Sequence, residues 1–82
     1  MMNVFDQNII NLIDILIMEK KISSKNEFYA EIKLQRQTIT KIKNGTNHFT
    51  SIQIDLICKK YNVNANWIFG LEKNVFFNLK NH

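Results

Sequence analysis

The sequence predicts an all-α fold, a compact bundle of four to five helices, and three observations predict it. Apolar residues recur at helical spacing, beginning with Ile9, Ile13, Leu16 and Ile17. The 82 residues contain no proline and only two glycines, so chain breakers are scarce. Helix-start signals precede two further apolar runs: Ser24 with Glu27, and Thr50 with Gln53. Apolar residues make up 45% of the chain, enough for one small domain to bury a core without staples.

The elements follow in order. Asp6 is positioned to cap a first helix running to about Lys20, with one buried stripe widened by Ile10 and Leu12. Ser24 opens a second helix, about Lys25 to Lys33, whose apolar positions are Phe28, Tyr29 and Ile32. Leu34 and Gln35 form the turn into a third helix, Arg36 to Lys43, which stops at Asn44-Gly45 as a left-handed C-cap would. A polar loop, Thr46 to His48, leads to Phe49. Thr50 then caps a fourth helix that buries Ile54, Leu56, Ile57 and Tyr61. Phe49 is placed to pack on Ile54 as a hydrophobic staple. A short fifth helix, about Ala65 to Phe69, ends at Gly70. We divide the chain into a domain over 1–72, with its helix-turn-helix at about 24–44, and an apolar tail over 73–82.

Composition narrows the function. A single cysteine, Cys58, excludes an intramolecular disulfide and suits a reducing compartment. Ile9 to Met18 is too short and too polar to span a bilayer, and no cationic leader precedes it. A cytoplasmic protein is the expectation. Net charge is +4 and uneven. Residues 20–43 hold seven basic and two acidic side chains, a net of +5, and the remainder holds four and five, a net of −1. Positive charge concentrated in one segment suits a polyanion. No Ser-His-Asp set or paired acids can be assembled, and His48 has no neighbouring ligand, so we expect no enzyme, no cofactor and no metal. Trp67 and Cys58 read as core residues.

The segment Leu34 to Gly45 carries the most specific signal. Ile39 and Ile42 form its apolar face, and Arg36, Gln37, Thr40 and Lys41 form the other. Arg, Gln and Lys side chains can hydrogen-bond base edges in a DNA groove. Around it stand Ile22-Ser-Ser-Lys-Asn-Glu-Phe28, Thr38-Ile-Thr-Lys-Ile42, Asn44-Gly45, Thr50 and Asn62-Val-Asn-Ala-Asn-Trp67. This ordered set resembles the XRE family, the lambda-repressor-like and Cro-like helix-turn-helix regulators, over roughly residues 5–72.

The resemblance implies a third helix lying in the major groove. It implies base contacts by Arg36, Gln37 and Lys41, and backbone contacts by Lys25, Gln35, Thr40, Asn44 and Thr46. It implies a transcriptional regulator of double-stranded DNA, a repressor of phage or mobile-element type. Three positions depart from the family pattern. Tyr29 stands where a small residue is usual, Lys33 where a turn glycine is usual, and Phe49 where proline is common. Tyr29 calls for a wider helix–helix contact, and Lys33 for a positive φ at a cost of order 1 kcal/mol.

The tail carries Val75, Phe76, Phe77 and Leu79, too apolar to remain in water. They fold back on the bundle or bury against another copy. We expect a homodimer whose interface includes Phe76 and Phe77 and extends toward the helix 5 region. The alternative from a different class is a protein-interaction module, such as an antitoxin or regulatory subunit, that binds its partner through the tail.

Overall fold

The computed structural model describes residues 2–77, and Leu79 and His82 lie outside them. Five helices follow in order: α1 (Val4–Met18), α2 (Lys25–Glu31), α3 (Arg36–Lys43), α4 (Ser51–Tyr61) and α5 (Ala65–Ile68). Among the described residues there is no β-strand, only an isolated antiparallel bridge between Val63 and Phe76. The fold is all-α.

Each helix start has a local cause. Asn3, and not Asp6, caps α1: its side-chain oxygen accepts the Asp6 N–H at 2.9 Å. An Asp at the third helical position cannot serve as the cap, and this one is turned inward. Ser24 caps α2, accepting the Glu27 N–H at 3.2 Å. The reciprocal half of the expected box is displaced by one residue, because Glu27 accepts from the Ser23 N–H and hydroxyl at 2.9 and 2.7 Å. Thr50 and Gln53 form a complete capping box at α4. Phe49, just before it, is buried, and Ile54 packs partly against the core.

Helix ends share one device. In α1, α2, α3 and α5 two backbone bonds close the last turn around a left-handed residue, the Schellman arrangement. Gly45 (φ 83) and Gly70 (φ 78) adopt that conformation without Cβ strain. At α1 and α2 it falls on Lys20 (φ 60) and Lys33 (φ 59). These stops explain why α1 and α2 end at Met18 and Glu31, two residues short of the expected Lys20 and Lys33.

The core lies where α1 crosses the other helices. Ile9, Leu12 and Leu16 of α1 are fully buried, as are Phe28, Ile32, Ile42, Ile57, Val63 and Ile68. α1 packs on α2 and α5. Asn8 adds two side-chain bonds to α5, donating to the carbonyls of Trp67 and Ile68. Cutting Phe28 back to Ala would cost about 3–5 kcal/mol at such a site.

Beyond α5 the chain folds back on the bundle as far as Phe77. Asn64 N–H donates to the Val75 carbonyl at 2.8 Å, and Phe77 N–H donates to the Asn62 carbonyl at 3.1 Å. Asn64 is only 4% exposed, and its amide also reaches Glu72 and the Asn74 carbonyl. Buried polar groups of this kind are affordable only when bonded.

Candidate nucleic-acid interface

The site is built on α2, its turn and α3. Two apolar anchors, Ile32 and Leu34, are buried and hold the turn against the core. Lys33 between them takes the left-handed conformation, letting the Leu34 N–H return to the Tyr29 carbonyl at 2.8 Å. Ile39 and Ile42 then pin α3 by its apolar face. Geometry therefore leaves Arg36, Gln37, Thr40, Lys41 and Lys43 exposed together.

The start of α2 meets α3 across a shallow concavity. Its lining includes Ser24, Lys25, Asn26, Tyr29, Arg36 and Thr40. Lys25, Arg36 and Thr40 are thus brought to one surface. Gln37 and Lys41 are exposed on the same helix, outside that lining. Gln35 is the exposed N-cap of α3 and makes no side-chain cap bond. Asn44 is the C-cap, and Thr46 Oγ donates to the Lys41 carbonyl at 3.1 Å.

Tyr29 is accommodated as part of this wall. It is 8% exposed and meets Phe28 edge-on, with ring centroids 6.4 Å apart. Burial pushes its phenol above the ordinary tyrosine value, the Arg36 charge opposes this, and Asp14 adds to it.

The electrostatics follow from how the two acids of this segment are used. Glu31 pairs with Lys60 of α4 at 2.8 Å, and Glu27 is held by Ser23. Lys25, Arg36, Lys41 and Lys43 have no carboxylate partner among the described residues. Lys25 and Arg36 share the concavity, and Lys41 and Lys43 stand exposed on the same helix as Arg36, so the segment carries a positive field.

Sequence reasoning missed one constellation. Asp6 is fully buried, and its carboxylate accepts the Phe49 N–H at 3.0 Å. Its other oxygen lies 2.6 Å from His48 Nδ1. Asn3 Nδ2 stands 3.3 Å from the same nitrogen. With Asp6 ionised, Nδ1 carries the hydrogen and cannot accept from Asn3, so the Asp6 contact is the hydrogen bond. The loop that leaves α3 is thereby tied to the first turn of α1. No local signal reveals this, because the partners are 42 and 43 residues apart.

The remaining candidates divide. Phe76 is half-buried on its own chain, with Lys21 Nζ 5.0 Å from its ring centroid, and Phe77 is 52% exposed. Trp67 packs against the core. Cys58 is half-buried, and burial, with Asp55 adding, pushes its thiol above the ordinary value, which suits an inert side chain. No helix of the described residues is long and apolar enough to cross a membrane. No known family model, curated protein or solved structure matches this chain.

Proposed function

We propose that this protein is a sequence-specific DNA-binding regulator of the lambda-repressor-like kind, docking α3 in the major groove. The reading rests on one observation: α3 exposes Arg36, Gln37, Thr40 and Lys41, with Arg36 and Thr40 beside Lys25, and among the described residues no carboxylate pairs with these cations. Arg36 and Lys41 suit guanine, and Gln37 suits adenine, by the match of donors and acceptors. Lys25, Gln35, Thr40, Asn44 and Thr46 serve the phosphates and set register, Thr46 by turning its hydroxyl from the Lys41 carbonyl to a phosphate oxygen. Repression follows by occlusion of polymerase.

An eight-residue helix reads few base pairs, so the working form is a homodimer. Phe77 is available to that interface, whereas Phe76 contributes from its own fold-back. The test is selection from a random duplex pool at physiological salt. An enriched inverted repeat, with half-sites about one helical turn apart, supports the reading. Retention without any sequence preference overturns it.

One observation favours a second reading, a protein-interaction module. Val4, Phe69 and Leu71 are 61, 46 and 74% exposed, and Val4 and Phe5 lie beside Gly70 and Phe69. Residues 63–71 carry no charge. An uncharged apolar end of this kind fits a protein partner. Stoichiometric capture of one host protein, with only nonspecific DNA affinity, would select it.

A further inference from the structure

Asp6 lies on α1, outside the reading motif, yet it is the most completely buried charged side chain of the described residues. Its two oxygens hold two successive residues of the α3–α4 loop, His48 by its ring and Phe49 by its backbone. That loop begins where α3 stops. Thr46 Oγ and the Thr46 and Asn47 N–H groups all bond to the carbonyl of Lys41. Asn47 Oδ1 in turn accepts the His48 N–H at 2.8 Å. A continuous chain of hydrogen bonds therefore runs from the first turn of α1, through the loop, to Lys41 on α3.

We propose that Asp6 is a positioning residue for DNA binding: it fixes the Thr46–Phe49 loop, and with it Thr46 and the Lys41 end of α3, against the DNA backbone. This rests on the DNA-binding reading above. Without the carboxylate the Phe49 N–H is buried and unpaired, and the loop is free to leave α1. Backbone contacts would then be lost without any contact residue having been changed. Such a loss shows in the salt dependence of binding, because each phosphate contact adds to the slope of log K against log salt.

The experiment measures affinity for the selected duplex over a salt series, in wild type, Asp6→Ala, Asp6→Asn, His48→Ala and Ile57→Val. Helicity is checked for each by circular dichroism at the assay temperature. Asn at position 6 can accept from Phe49 and donate to the other tautomer of His48, so it keeps the tie. We expect Asp6→Ala to bind roughly tenfold more weakly with a salt slope lower by about one. His48→Ala shifts the same way by less, and Asp6→Asn restores wild-type behaviour. Ile57→Val, a core change on α4, lowers stability and leaves the slope alone. Folded Asp6→Ala and His48→Ala with wild-type affinity and slope would overturn the proposal. So would Asp6→Asn failing as badly as Ala, or Ile57→Val losing slope equally. A wild type that shows no salt-dependent DNA binding would instead remove the underlying reading, and is seen before any variant is compared.

Discussion

The ring of Tyr61 lies stacked on that of Phe28, with centroids 5.8 Å apart and planes 21° from parallel. The contact joins α4 to α2 and buries the phenol oxygen, which has no hydrogen-bond partner among the described residues. Burial, with Glu31 and Glu27 adding, raises its pKa, so the unpaired group is the neutral hydroxyl. Phenylalanine would keep the stacking and remove the unsatisfied group. Tyr61→Phe is expected to stabilise the fold by about 1 kcal/mol, read as a higher midpoint in urea at unchanged slope.

Lys33 and Lys20 terminate α2 and α1 in the left-handed region, where a Cβ is strained. Lys33→Gly should stabilise by about 1 kcal/mol, and Lys20→Gly by a similar amount. The two sites are in separate turns, so the double variant should show nearly the sum. Thermal melts of the three variants against wild type check this. A loss of stability in either single variant would show that its lysine side chain compensates the strain.

Glu27 has a pKa below the ordinary glutamate value, chiefly because its carboxylate accepts the Ser23 N–H and secondarily the Ser23 hydroxyl. A depressed folded pKa contributes stability above the unfolded value, and the contribution disappears as pH falls through the folded one. Glu27→Gln should therefore melt lower than wild type near neutrality, with the gap closing as pH falls below the ordinary glutamate range. A gap that persists or widens in acid would contradict the assignment.

Among DNA-facing residues, two substitutions should separate specificity from affinity. Lys25→Ala is expected to weaken every duplex alike and to reduce the salt slope by about one. Gln37→Ala should relax preference at one base pair, at a cost of roughly 1–3 kcal/mol for the preferred site. Competition assays with single-base operator variants distinguish the two. If both proteins keep wild-type affinity and preference, α3 is not docked as proposed.

Much of the fold was legible because its signals are local. Ser24, Thr50 and Gly45 each mark a helix boundary through a bond spanning a few residues, and α3 begins and ends where expected. The exposed face of α3 was legible for the same reason, since Ile39 and Ile42 set its inward side. What was not legible depends on distant partners. Asp6 reads as a cap until Phe49 arrives from 43 residues away to claim its carboxylate. Asn64 stands between two expected helices in the sequence, and its burial becomes apparent only when Glu72, Asn74 and Val75 fold over it. The left-handed conformation at Lys20 has no compositional signal, because the side chain there is not the one the backbone prefers.

The bonds from Asn8 to Trp67 and Ile68 span 59 and 60 residues. They impose an order on biosynthesis. As the chain emerges from a ribosome, α2 and α3 can meet early, since their contacts lie close in sequence. The opening helix can lean on α2 early, but its side around Asn8 must wait, uncovered, until the segment around Ile68 has been made. During that interval the nascent chain presents a greasy helix only partly covered, and this is the stage at which a chaperone would have something to hold.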